Sequence, residues 1–150
     1  MNRREMMTAM AAFSMMAAAI PEASAQGTGA AEFDLSRSRV YRFDEMKVTP
    51  NKNGGWSRAI LHGTLPTGEV VESHQTMLPP GQMPHPPHKH RNSEFVLIRE
   101  GKLEYLNDGK PEPAGAGDVI FTASNVMHGL KNVGTTNALY FIVSISSAQG

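Results

Sequence analysis

The chain has 150 residues, with 14 Lys and Arg against 14 Asp and Glu and no cysteine. That length predicts one domain with a sizeable core. Balanced charge removes the basic excess that a nucleic acid or an anionic membrane would call for. The missing cysteine excludes disulfide frameworks, thiolate metal sites, iron–sulfur clusters and cysteine nucleophiles.

In chain order the first element is a leader. Residues 1–5 carry Arg3 and Arg4, residues 6–20 are an apolar run, and Pro21-Glu22-Ala23-Ser24-Ala25 ends in small residues. A positive start, a short apolar stretch and a small-residue cleavage site make a signal peptide over 1–25, too short to span a membrane. Arg3-Arg4 ahead of Met6-Met7 fits a twin-arginine export signal as well as an ordinary positive leader. The expectation is a periplasmic or secreted protein, free of the membrane after cleavage. Residues 26–39 read as a linker and 40–150 as the folded domain.

Beyond residue 33 no apolar stretch keeps a helical period. Short β-rich runs recur at 40–48, 56–64, 69–78, 94–99, 102–106, 119–122, 127–133 and 138–145, with Gly, Pro, Asn and Asp clusters between them. Regular spacing of this kind predicts an all-β antiparallel sandwich or barrel. Asn107-Asp108-Gly109 predicts a tight hairpin, since Asp-Gly supplies the positive φ the turn needs.

The chemistry concentrates between Gly81 and Gly101, which enclose His85, His88, His90 and Glu94. On an extended strand His88, His90 and Glu94 share one face, a set of N, N and O metal ligands. Glu94 directly precedes the apolar run Phe95-Val96-Leu97-Ile98, where a charge needs a cation or strong hydrogen bonds. A second segment, opening at Gly117, adds His128 after a turn and at the start of a strand, which a barrel can bring against the first.

These two segments resemble the paired motifs of the cupin superfamily. Gly81, His88-Lys89-His90, Glu94 and Gly101 match the first; Gly117, His128 and Asn132 match the second. The resemblance runs over residues 40–145 and points to the small bacterial, type-2 conserved-barrel cupins. Departures are one extra residue between Gly81 and His88, and Ala123-Ser124-Asn125 where the family has Pro-x-Gly. Asn125 can adopt the left-handed corner that Gly would make, and no departure removes a ligand.

The resemblance implies an antiparallel double-stranded β-helix, the cupin jelly-roll barrel, with His88, His90, Glu94 and His128 holding a divalent transition metal. Fe(II) or Mn(II) come first, with Zn, Ni or Cu as alternatives. Such a mixed set leaves two open positions on an octahedral ion. Two function classes follow: a metalloenzyme of dioxygenase or lyase type with Glu94 as a catalytic base, or a non-catalytic module that binds or senses a sugar or organic acid. The expected partner is a small molecule.

The remaining polar and aromatic residues carry weaker expectations. His85 reads as an exposed loop histidine, with a donor role behind the ligands, a substrate contact or a further ligand as alternatives. His62 and His74 read as ordinary polar-face residues, and Arg91, Asn92 and Ser93 as the turn before Glu94. Tyr105, Phe121 and Tyr140 are candidates for the pocket wall. Phe95 and Leu97 face outward, where a second sheet or a homodimer partner could cover them.

Overall fold

The computed structural model describes residues 33–148. The leader at 1–25 and the linker residues 26–32 lie outside the described residues. Nine strands follow a 3-10 turn at Phe43–Glu45: β1 (Val48–Pro50), β2 (Trp56–Thr64), β3 (Glu69–Leu78), β4 (Ser93–Glu100), β5 (Lys102–Asn107), β6 (Lys110–Gly115), β7 (Val119–Thr122), β8 (His128–Asn132) and β9 (Ala138–Ser147). Every pairing is antiparallel. One sheet runs β1-β2-β3-β9-β4-β7 and the other β6-β5-β8. The two close on one core, the antiparallel jelly-roll barrel that the motifs imply.

Register sorts the side chains. Directly paired residues of antiparallel strands point to the same face. The pairs Thr76↔Tyr140↔Ile98 and Val96↔Ile120 face inward, with Tyr140, Ile98, Val96 and Ile120 in the core. Leu103, Tyr105 and Leu130 meet them from the smaller sheet. Tyr105 Oη and Thr122 Oγ1, 2.9 Å apart, hydrogen-bond across the barrel. Tyr105 and Tyr140 are thus interior. Phe121 is not a wall of the interior: it alternates with Ile120 and Thr122, points outward and is 55% exposed.

Two local expectations change. The run at 40–48 forms the 3-10 turn and only the start of β1, because residues 33–47 lie over the outer face of β2 instead of extending the sheet. Phe33 N–H donates to the His62 carbonyl at 2.8 Å, and a Cβ on Gly63 would stand 2.6 Å from the Phe33 oxygen. The Arg58 guanidinium stacks 3.6 Å above the Phe43 ring and donates to its carbonyl. The second change is β6, whose sequence Lys-Pro-Glu-Pro-Ala-Gly has little β preference. The hairpin imposes it: Asp108 and Gly109 take φ of 46° and 83°, and the chain returns along β5.

Candidate metal centre

The barrel interior is apolar toward one end and polar toward the other. His128 opens β8, and Glu94 is the second residue of β4. His88 and His90 are not on a strand, as their alternation had predicted. They lie in the loop before β4, and only a single bridge, His88↔His128, ties that loop to β8. The five prolines in 79–87 explain this, since proline cannot donate to a ladder. The loop follows β8 nonetheless. Gly81 N–H bonds the Asn132 carbonyl, Asn132 N–H bonds the Gln82 carbonyl, and His88 and His128 exchange bonds of 2.9 and 2.8 Å. Gly129 permits the approach: a Cβ there would meet Pro87 Cγ at 3.1 Å.

The corner before β8 is clipped to the same loop. Asn125 takes φ of 61°, and its N–H donates to the His90 carbonyl at 2.7 Å. Asn132 is fully buried; its side chain donates to the Leu78 and Thr136 carbonyls and accepts from Gly134 N–H. That side chain locks the far end of β8 to β3.

One ring nitrogen from each of His88, His90 and His128 lies within 4.8 Å of the other two. His90 Nδ1 sits 3.1 Å from the Asn92 carbonyl and His128 Nδ1 2.9 Å from the Val126 carbonyl. A carbonyl only accepts, so both Nδ1 atoms carry the proton and both Nε2 atoms are turned toward the shared volume. Glu94 closes the fourth side, with Oε1 3.3 Å from His90 Nε2 and Oε2 3.9 Å from His128 Nε2. The structure thus gathers the three histidines picked as ligands, with Glu94 beside two of them, His90 and His128.

The electrostatics describe a cluster built for a cation. Burial and the neighbouring charges of His85, His128 and His90 push the His88 imidazole down to about 4. Burial likewise lowers His128. His90 goes the other way, raised by its hydrogen bond to Glu94 against the effect of burial. Burial works against the Glu94 charge, yet the hydrogen bond and charge of His90, helped by His128 and His74, hold it below the usual carboxylate range. His88 Nδ1 is buried and has no hydrogen-bond partner. Three imidazoles with nitrogens at this spacing cannot all be protonated without strong repulsion, and one carboxylate balances one charge. A divalent ion fits this donor set.

The other expectations divide. His85 is exposed, as a loop histidine would be, yet its ring packs edge-on against His88 with centroids 4.1 Å apart. Asn92 Nδ2 donates to Ser144 Oγ at 2.9 Å, so this loop residue reaches β9. His62 and His74 are not on the solvent face of the sheet. They pair with Glu72 and Ala59 on its inner face, in the half of the barrel that faces Glu94. Sequence alternation hides His62 because a β-bulge between Ala59 and Leu61 swings it inward.

A sequence scan matches residues 74–145 to the family described as a cupin domain. No curated protein matches the chain. Among solved structures, a cupin described as RmlC-like from Shewanella frigidimarina is 16% identical with a TM-score of 0.63, covering 77% of this chain and 97% of its own. A predicted oxalate decarboxylase from Thermotoga maritima is 28% identical with a TM-score of 0.55, covering 71% of this chain and 98% of its own. The polyketide cyclase RemF from Streptomyces resistomycificus is 18% identical with a TM-score of 0.56, covering 73% of this chain and 79% of its own. With both motifs folded against each other inside a jelly-roll barrel, and the family match lying across β3 to β9, residues 74–145 of this chain form a cupin domain.

Proposed function

We propose that the protein is an exported metalloenzyme of dioxygenase or lyase type that acts on a small oxygen-rich molecule. His88, His90, Glu94 and His128 would hold the metal, with Fe(II) or Mn(II) as first candidates. The observation that carries this reading is the convergence of three imidazole nitrogens within 4.8 Å beside a carboxylate that two of them face. Once bound, such an ion polarises oxygen donors of a substrate placed at its open positions. The chain's own part is to hold His88 and His128 neutral by burial, to fix the tautomers of His90 and His128 through the Asn92 and Val126 carbonyls, and to keep in Glu94 a base that can take a proton from the substrate. The Thermotoga protein's description supports the lyase side of the reading. We further propose a second copy of this chain as the partner of the bare outer face around Phe95 and Phe121.

The test uses metal content and turnover together. His88→Ala with His128→Ala should leave the purified chain without bound metal, read by elemental analysis. Glu94→Gln, reloaded with metal, should lose turnover by about 10²–10⁴-fold, since the amide keeps the size and loses the basicity. Metal retained in the double variant overturns the centre. Full activity in metal-loaded Glu94→Gln overturns the catalytic role. Tight ligand binding with no conversion under Fe, Mn, Ni, Cu or Zn identifies a binding module instead.

A further inference from the structure

His85 is the histidine of the first segment that the proposed metal centre does not use, and the fold sets its position. If Pro86-Pro87 ran as a polyproline helix, His85 and His88 would stand about 9 Å apart along its axis. Residues 84–87 bend instead, and the two rings meet edge-on with centroids 4.1 Å apart. Pro84, Pro86 and Pro87 fix φ through the bend. Pro87 lies against Gly129, and His88 is bonded both ways to His128. The bend is therefore held firmly, with an exposed ring standing over a half-buried one.

The donor atoms suit a handover. His85 Nδ1 sits 3.1 Å from the Pro86 carbonyl. A carbonyl only accepts, so Nδ1 carries the proton and Nε2 keeps its lone pair, with no bonding partner among the described residues. His88 is the ring next in line. Carbonyls hold the Nδ1 atoms of His90 and His128, but His88 Nδ1 has no such partner. The side chains of His90, His128 and Glu94 are only 8%, 7% and 14% exposed, so a hydrated ion cannot meet them all at once from solvent. It sheds water in steps, and a charge stripped of water is costly unless a new donor replaces what is lost. Loop residues 79–92 offer no carboxylate for that purpose, and the exposed Lys89 and Arg91 repel a cation. A charge on His85 is felt at His88 and His128 and also at His74, so the ring stands within range of both sheets at the open end of the interior.

We propose that His85 is a metal-entry ligand: its Nε2 takes an incoming divalent ion at the surface and passes it to His88, without staying bound in the finished centre. The inference rests on the metal-binding reading. A ligand used only on the way in stabilises the transition state and not the end state, so it speeds uptake and release alike and leaves affinity unchanged. Stopped-flow mixing with zinc, then transfer of the zinc to excess chelating dye, reads both rates, and calorimetry reads the equilibrium. His85→Ala should slow uptake and release each by about tenfold, with the dissociation constant within about threefold of the wild type. His85→Phe keeps the edge-on ring and lacks the donor nitrogen, so it should be as slow as His85→Ala. Alanine widens the entrance and phenylalanine fills it, so slowing in both reports the missing lone pair and not the size of the opening. His85 is exposed and bonds its neighbour's carbonyl, so neither variant threatens the fold. Wild-type rates, or faster, in either variant overturn the entry role. A dissociation constant raised about tenfold or more means that His85 stays in the finished centre, and overturns it too. A wild-type chain that takes up no zinc overturns the centre itself, and the entry role with it.

Discussion

His88, His128 and His74 stay neutral in the folded chain because burial penalises their charged forms, while His90 is drawn the opposite way by Glu94. The three depressed imidazoles take up a proton near pH 6.5 once unfolded. Between that pH and their lower folded values, down to about 4 for His88, the unfolded chain binds more protons. Stability from these groups is therefore present above about pH 6.5 and is lost as pH falls through that window. His90 has the reverse sign: its contribution is full below about 6.5 and is lost as pH rises through its raised value. Three against one, the chelator-treated protein should melt at a lower temperature at pH 5 than at pH 7.5. A higher melting temperature at pH 5 would contradict the assignment. Metal affinity should fall over the same range, because bound imidazoles must be deprotonated. Calorimetric titration with zinc at several pH values measures it.

Among the elements, β8 and the loop of residues 79–92 that runs beside it matter most for the centre. Their contact is thin, one bridge at His88↔His128 and one pair of bonds at Asn132, and each end depends on a single side chain. Asn132→Ala removes three hydrogen bonds and leaves the Leu78 carbonyl without its donor inside the core. The expected loss is about 1–3 kcal/mol, the range for stranding a buried polar group, measured by urea unfolding. Gly129→Val should act locally, pressing on Pro87 and loosening the bridge. Its expected signature is weaker zinc binding with a small change in unfolding midpoint. These elements were legible to different degrees. The runs at 56–64 and 69–78 coincide with β2 and β3, because alternation and flanking turns mark them. Strand β6 and the path of residues 40–47 were not legible, since a hairpin partner and a sheet face, not local preference, set them.

The outer face of the large sheet is covered in one half and bare in the other. Residues 33–47 lie over β2, whereas Phe95, Leu97, Val119 and Phe121 on β4 and β7 are 38–59% exposed. Phe95 and Phe121 already stack at 5.1 Å, so the patch is contiguous. An apolar patch on a chain of zero net charge meets no long-range repulsion from another copy. Light scattering should find a dimer for the wild type and a monomer for Leu97→Glu with Phe121→Glu. An unchanged monomer in both would remove the second copy as partner. Export predicts a mature chain that begins at Gln26, read from the intact mass of periplasmic protein.

The ligand types, their order and the barrel class follow from local sequence, because imidazole and carboxylate chemistry, turn residues and strand alternation are properties of a few neighbouring positions. His88, His90, Glu94 and His128 could be named together from their positions in the two segments that resemble the cupin motifs. Their common volume could not, since it depends on a loop running beside β8 and on the Asn125 corner held by His90. Nor could the inward aim of His62 and His74. Their facing depends on a bulge between Ala59 and Leu61 and on which strand pairs with which, and period-two alternation fails wherever one extra residue shifts the pairing.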